Sequence, residues 1–141
     1  MSFTPYQLTV LIPSGVKISL DEIQERLVSK FARRADVTIE RTTDSRISIF
    51  FGSWLYTIAW QSNALVIVES QDIATLFAAK RSDQAVIASS DRRISAYGSS
   101  DPGMDHFNDF VFIAELLEAL PEVYIFDPVS AKLWKSGEVP D

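Results

Sequence analysis

Two neighbouring stretches of the chain alternate with a period of two, and a glycine turn joins them. In residues 47–51 the isoleucines and Phe51 fall on every second position, and the aromatic residues of 54–60 do the same. This is the spacing of a β-strand, whose successive side chains point to opposite faces. Gly52-Ser53 between the stretches suits a two-residue hairpin with a positive φ at its first position. The pattern therefore predicts an antiparallel sheet, and the stretch 54–60, apolar on both faces, is expected to lie inside it.

Further segments extend the predicted sheet. We expect strands over residues 6–12, 37–40, 93–97 and 123–126, and a short edge strand at Leu133 and Trp134. The stretch 64–68 fits either a strand or the start of a helix, and its β-branched residues favour the strand. Residues 85–88 stay undecided between strand and helix.

Two helices are indicated in the first part of the chain. Ser19 and Glu22 have the spacing of a capping box, in which the hydroxyl and the carboxylate each satisfy a backbone amide at the helix start. Apolar residues then recur at helical spacing, so a helix is predicted over about 19–33. A second helix is predicted from Ser70, again from the spacing of its apolar residues.

A third helix is predicted over about 103–120, with Asp101 as its N-cap and Pro102 in its first position. Its centre, Phe110–Ala114, is apolar on every side of the predicted helix. A helix of this kind is either enclosed within the fold or shared with another chain.

Together these elements predict one α+β domain over residues 1–141. The expected architecture is a two-layer sandwich, in which a mainly antiparallel sheet of about five to six strands carries about three helices mostly on one face. Residues 1–5 and 135–141 are expected to be frayed ends.

The composition excludes several kinds of chemistry. The chain has 141 residues, no cysteine, a single histidine and a net charge of −6. It therefore lacks disulfides, thiolate nucleophiles and cysteine-ligated zinc. It also lacks the catalytic Gly-x-Ser-x-Gly elbow, the phosphate-binding loop and the dinucleotide fingerprint, so no cofactor is expected. The acidic balance argues against a nucleic-acid binder. Because no signal peptide or membrane span is indicated, we expect a cytoplasmic protein.

The negative charge is concentrated in the second half of the chain. Residues 1–70 carry seven basic and seven acidic side chains, whereas residues 71–141 carry six and twelve. Residues 94–131 contain no lysine or arginine at all. A field of one sign attracts cations or basic partners, although many such faces only keep a protein soluble.

The sequence around the single histidine, His106, holds three candidate metal ligands. On a helix Asp105 and Asp109 lie one turn apart, and Asp101 could approach from the preceding turn. His106 lies about 100° around the helix from Asp105 and converges poorly on the same point. Asp101 is better explained as a helix cap and Asp105 as a charge that favours a helix N-terminus, so no metal site and no catalytic residue is assigned.

Three functions remain as hypotheses. In size and charge the chain resembles the small acidic α+β immunity and chaperone proteins of bacteria, which act by surface contact. The first hypothesis is therefore a non-enzymatic protein-binding module for a basic partner. Its expected contact residues are Asp105, Asp109, Glu115 and Glu118. The second is a small enzyme, or a ligand- or metal-binding domain, that uses His106 and nearby carboxylates. The third is a homodimer through the helix around Phe112 and Leu116.

Overall fold

A computed structural model describes residues 6–138. The predicted frayed ends at residues 1–5 and 139–141 lie outside the described residues. The strands are β1 (Leu8–Pro13), β2 (Val37–Thr43), β3 (Arg46–Phe51), β4 (Trp54–Gln61), β5 (Ser90–Gly98), β6 (Tyr124–Asp127) and β7 (Lys132–Lys135). The helices are α1 (Leu20–Lys30), α2 (Ala64–Phe77), α3 (Gln84–Ala88) and α4 (Phe107–Glu118).

The strands form one sheet in the order β2-β3-β4-β5-β1-β6-β7. Every neighbouring pair is antiparallel. The predicted α+β class is therefore confirmed, with seven strands and four helices in the described part of the chain. Gly52 has a φ of 62° in the turn between β3 and β4, as the hairpin prediction requires. The strand β4 lies inside the sheet and β7 at its edge, both as predicted.

The first helix follows from its local sequence. The Ser19 side chain caps α1 by accepting a hydrogen bond from Glu22 N at 3.1 Å. The helix ends at Lys30, three residues before the predicted end. Its buried residues Ile23 and Leu27 face the sheet.

The larger core lies on one face of the sheet, beneath α1 and α4. Buried side chains from both helices join buried side chains from six strands in a single cluster, including Ile23 and Ile113 from the helices and Val10 and Ile49 from the sheet. The burial of this apolar surface is the main force that holds the two helices on the sheet.

A smaller cluster occupies the opposite face. Leu11 and Tyr124 point away from the larger core, because side chains alternate along a strand, and they pack with Ala74 of α2 and Ile87 of α3. The preference for a strand over 64–68 is therefore wrong. Asn63 caps α2, accepting a hydrogen bond from Val66 N at 3.3 Å, and the helix begins directly after it. The undecided residues 85–88 belong to α3.

The end of the described chain is tied to the sheet. Lys135 closes β7, and Ser136 N donates a hydrogen bond to Val123 O at 2.8 Å. Within the described residues, no helix has the length and apolar character that would let it cross a bilayer.

Candidate functional site

The segment before α4 is irregular and does not form the predicted first turns of a helix. The helix begins at Phe107 and not near residue 103, with His106 at the N-cap position. Met104 has a φ of 58°, which lies in the left-handed region and interrupts a right-handed helix. The prediction that Asp101 caps this helix with Pro102 in its first position is therefore wrong.

Asp101 instead anchors this segment to the start of the described chain. Its Oδ2 accepts a hydrogen bond from the Tyr6 hydroxyl at 2.6 Å and another from His106 N at 3.0 Å. Burial, together with the hydrogen bond to Asp101, raises the pKa of Tyr6 to about 12. The carboxylate thus holds the loop against Tyr6 and sets the position from which α4 begins.

His106 lies at the centre of this arrangement. Its ring stacks on the Trp54 indole, with 4.7 Å between centroids and 3° between planes. Its Nδ1 lies 3.0 Å from Oδ2 of Asp109, one turn further along α4. Trp54 is itself held by a hydrogen bond of 3.0 Å from Nε1 to Ser99 O. The imidazole is therefore fixed on both a face and an edge.

Asp109 is enclosed by charged groups of its own chain. Arg34 contacts Asp109 Oδ1 at 3.1 Å and binds Asp36 through two nitrogens at 2.8 and 2.9 Å. Hydrogen bonds to Asp36 and Asp109 raise the pKa of the Arg34 guanidinium. Only 13% of the Asp109 side chain is exposed. Of the four expected contact residues, Asp109 is thus a positioning group that joins α4 to the segment after α1.

The other three expected contact residues are more accessible. Asp105 is exposed, and Glu115 is 57% exposed with its Oε2 3.8 Å from Lys30 Nζ. Glu118 is half-buried, and burial together with the nearby Glu115 carboxylate raises its pKa. The Lys30 ammonium offsets part of the negative field that the sequence predicts at this helix.

Exposed apolar side chains accompany these carboxylates. Met104 is 60% exposed, and Phe107 and Phe112 are each about 40% exposed. We call this surface the α4 face and define it by its six residues: Met104, Asp105, Phe107, Phe112, Glu115 and Glu118. Leu116, expected with Phe112 in a dimer contact, is buried in the larger core. Dimerisation through Phe112 stays a prediction.

A shallow groove follows the line between α1 and α4. One cavity of about 250 Å³ is lined by Lys30, Phe31, Arg34 and Phe112. A second, of about 330 Å³, is lined by Arg26, Ser29, Lys30, Glu115, Leu116 and Ala119. In the second cavity, Arg26 and Lys30 of α1 lie opposite a single carboxylate of α4, Glu115.

The carboxylates considered as metal ligands do not converge on one point. Asp101 is bound to Tyr6, and Asp109 is bound to Arg34 and His106. Among residues 6–138, no group of three or more His, Cys, Asp or Glu side chains could hold a metal ion.

The contacts of three residues in this network, Tyr6, Arg34 and Trp54, are not predicted from the sequence. Tyr6 is separated from Asp101 by 95 residues and Arg34 from Asp109 by 75. Trp54 is buried in the larger core, and its stack on His106 joins two distant segments. No local motif signals these contacts, because each depends on how the sheet brings the segments together.

Comparisons of this chain with protein families, with curated proteins and with solved structures find no match. The α4 face and the network behind it are therefore the basis for a functional assignment.

Proposed function

We propose that the protein is a non-enzymatic protein-binding module whose α4 face receives a basic, partly apolar segment of another protein. The observation that carries the proposal is the mixture of exposed apolar and acidic side chains on this face. Met104, Phe107 and Phe112 are exposed beside three carboxylates. Apolar side chains that anchor a partner within a charged rim are typical of protein interfaces.

Charge complementarity supports a basic occupant. Lysine and arginine are absent from residues 94–131, so the cations near this face, Lys30 and Arg34, come from α1 and the segment after it. Lys30 lies 3.8 Å from Glu115 and 5.7 Å from the Phe112 ring centroid, which leaves Asp105 and Glu118 without a described ion pair. A lysine or arginine of the partner would find its carboxylate there, while an apolar side chain would cover Phe107.

The rigid network behind α4 supports the same proposal. Asp101 and Asp109 hold the start of the helix through hydrogen bonds to Tyr6 and Arg34, and the His106 ring stacks on Trp54. A surface held in one conformation before binding loses less conformational entropy on association. We therefore assign these three residues to positioning, and the contacts to the α4 face.

The experiment compares capture of partners from a lysate of the producing cells by three forms of the chain. The first is the wild type, and the second carries lysine at Asp105, Glu115 and Glu118. The third is a matched control with lysine at Glu25, Glu40 and Asp44, which are exposed carboxylates outside the α4 face. Both variants change the net charge equally. The captured protein is then titrated against each form at rising salt.

We expect wild type and control to retain the partner, and the α4 variant to lose it. The affinity should fall with ionic strength, because contacts between exposed charges are screened. A partner that binds the α4 variant as tightly as the wild type would refute the proposal.

A second candidate function is a small enzyme or ligand-binding domain at His106. One observation favours it: Nδ1 pairs with Asp109, which is the arrangement that orients a histidine for acid–base work. The test is an NMR screen of metabolite mixtures with the His106 ring signals as reporter, repeated on His106→Gln. Binding that shifts these signals and disappears in the variant would favour this candidate over a protein partner.

The cytoplasm is the location we propose for this module. The absence of cysteine from the sequence fits a reducing compartment.

A further inference from the structure

Lys30 stands in the middle of the groove between α1 and α4. It lines the cavity that also contains Phe112 and the cavity that also contains Glu115. Its ammonium lies 5.7 Å from the centroid of the Phe112 ring and 3.8 Å from Oε2 of Glu115. One flexible side chain thus divides the groove and contacts a residue of the α4 face in each part.

The two contacts of Lys30 are those that a basic side chain of another protein would make here. The face of an aromatic ring attracts a cation within about 6 Å of its centroid, and a neighbouring carboxylate adds a charge of opposite sign. Phe112 and Glu115 lie three residues apart on the same side of α4. They are 41% and 57% exposed, so both are accessible from solvent. The chain therefore fills a cation-binding position of the α4 face with a lysine of its own.

The ion pair of Lys30 is weak enough to be exchanged. Its 3.8 Å separation from Glu115 exceeds the roughly 2.7–2.9 Å of a direct hydrogen bond between charged groups. Exposed pairs of this kind contribute little to stability, because water screens them and ordering two long side chains costs entropy. Arg34, the other cation of the first cavity, is bound to Asp36 at 2.8 Å and to Asp109 at 3.1 Å. Of these two cations, Lys30 is the one that can leave.

We infer that Lys30 is an internal competitor of the partner: a lysine or arginine of the bound segment displaces its ammonium from Phe112 and Glu115. Lys30 then turns away, and the two cavities join into one groove. The inference rests on the proposed function, since it takes a basic segment as the occupant of the α4 face. Lys30 lowers the affinity for every such segment, and most for one whose cations reach only this position.

The test uses the full chain and a defined probe, the peptide acetyl-Lys-Leu-Lys-Leu-Lys-amide. Its neutral counterpart is acetyl-Gln-Leu-Gln-Leu-Gln-amide. Binding of both peptides to the wild type, Lys30→Gln and Arg26→Gln is measured by NMR from the ring signals of Phe112. The salt concentration is about 150 mM, at which exposed charges more than about 8 Å apart are largely screened. Circular dichroism confirms that each variant is folded.

Arg26→Gln is the matched control. Arg26 lines the same groove, and its own ion pair, at 3.6 Å, is with Glu22 of α1. Each variant therefore removes one positive charge from α1 and frees one carboxylate. Only Lys30→Gln frees a carboxylate and an aromatic ring of the α4 face.

We expect Lys30→Gln to bind the lysine peptide about twofold to sixfold more tightly than the wild type. An exposed ion pair of ordinary strength would keep Lys30 in the site for about half to five-sixths of the time, and the variant removes this competition. Arg26→Gln should change the affinity by less than about 1.5-fold, because its charge acts only through screened solvent. The glutamine peptide should bind all three forms equally.

Displacement is also observed directly in the wild type. Nuclear Overhauser effects should link the ε-protons of Lys30 to the ring protons of Phe112 in the free protein. They should disappear when the lysine peptide saturates the site.

An equal gain in affinity for Lys30→Gln and Arg26→Gln would overturn the inference, because net charge would then explain the effect. So would Overhauser effects that persist in the saturated complex. A lysine peptide that leaves the Phe112 signals of both the wild type and Lys30→Gln unchanged would overturn it as well.

These outcomes are distinguishable from failure of the proposed function. A lysine peptide that binds the wild type and Lys30→Gln with equal affinity would overturn the role of Lys30 and leave the α4 face as a binding surface. The proposed function itself fails when a captured partner binds the triple-lysine variant of the α4 face as tightly as the wild type, whatever the effect of Lys30→Gln.

Discussion

Replacing Gly98 with alanine should destabilise the fold, chiefly through a steric clash with the Trp54 indole. Gly98 pairs with Tyr56 across β4 and β5, and its φ suits any residue. A Cβ at this position would lie 2.6 Å from Cζ2 and 3.1 Å from Cη2 of Trp54. Carbon atoms in contact are normally about 3.5–4.0 Å apart, so the overlap is about 1 Å.

The indole cannot move easily to relieve this overlap. It is buried, it donates a hydrogen bond to Ser99 O, and it stacks on His106. Overpacking of a core by one methyl group costs about 1–3 kcal/mol. For a domain of this length, that cost lowers Tm by about 3–12 °C.

The assay is urea unfolding followed by tryptophan fluorescence, with a double-mutant cycle against Trp54→Phe. Phenylalanine lacks the two indole carbons that the new methyl would meet, so Gly98→Ala should cost less in that background. Gly103→Ala is the matched control. Its added Cβ meets only the exposed Asp105 carboxylate, at 3.3 Å, and it should change stability by less than about 0.5 kcal/mol. An equal cost of Gly98→Ala in both Trp54 backgrounds would refute the steric explanation.

Three further predictions follow from the hydrogen bonds. Ser19→Ala removes the cap of α1 and should lower the free energy of unfolding by about 1 kcal/mol, measured in urea. Arg81 lowers the pKa of Asp83 to about 2, so this carboxylate stabilises the fold above its usual pKa and loses that effect as pH falls; Asp83→Asn should flatten the decline of Tm between about pH 4 and 2. Tyr6→Phe removes the hydrogen bond to Asp101 and should lower the free energy of unfolding by about 1–2 kcal/mol. If it lowers the free energy of unfolding no more than the control Tyr97→Phe does, this prediction is contradicted.

The strands and α1 were predictable because their signals are local. The alternation over 47–51 and 54–60 reports directly which side chains enter the core of a sheet. Ser19 caps a backbone amide three residues away, so the sequence contains both partners of the interaction. The starts of α2 and α4 were predicted less well. Asn63 is a favourable N-cap residue for α2, but the β-branched residues that follow it favour a strand.

The error at α4 has a different origin. Asp101 followed by Pro102 is a strong local signal for the start of a helix. In the fold, the Asp101 carboxylate accepts hydrogen bonds from the Tyr6 hydroxyl and from His106 N. Met104 adopts a left-handed φ. A long-range contact thus displaced a local preference, which is typical of segments that are held by tertiary structure.

By itself, the sequence determined the α+β class, most of the strands, the capped first helix and the acidic bias of residues 94–131, because periodicity, capping and charge are properties of neighbouring residues. The tertiary structure alone decided which of those charges face solvent. Asp109 is enclosed because Arg34 reaches it from 75 residues away, whereas Asp105 stays exposed. It also decided that α2 turns its small residues inward and Leu76 outward. Which face of a helix is buried depends on the space between it and the sheet, and distant strands set that space.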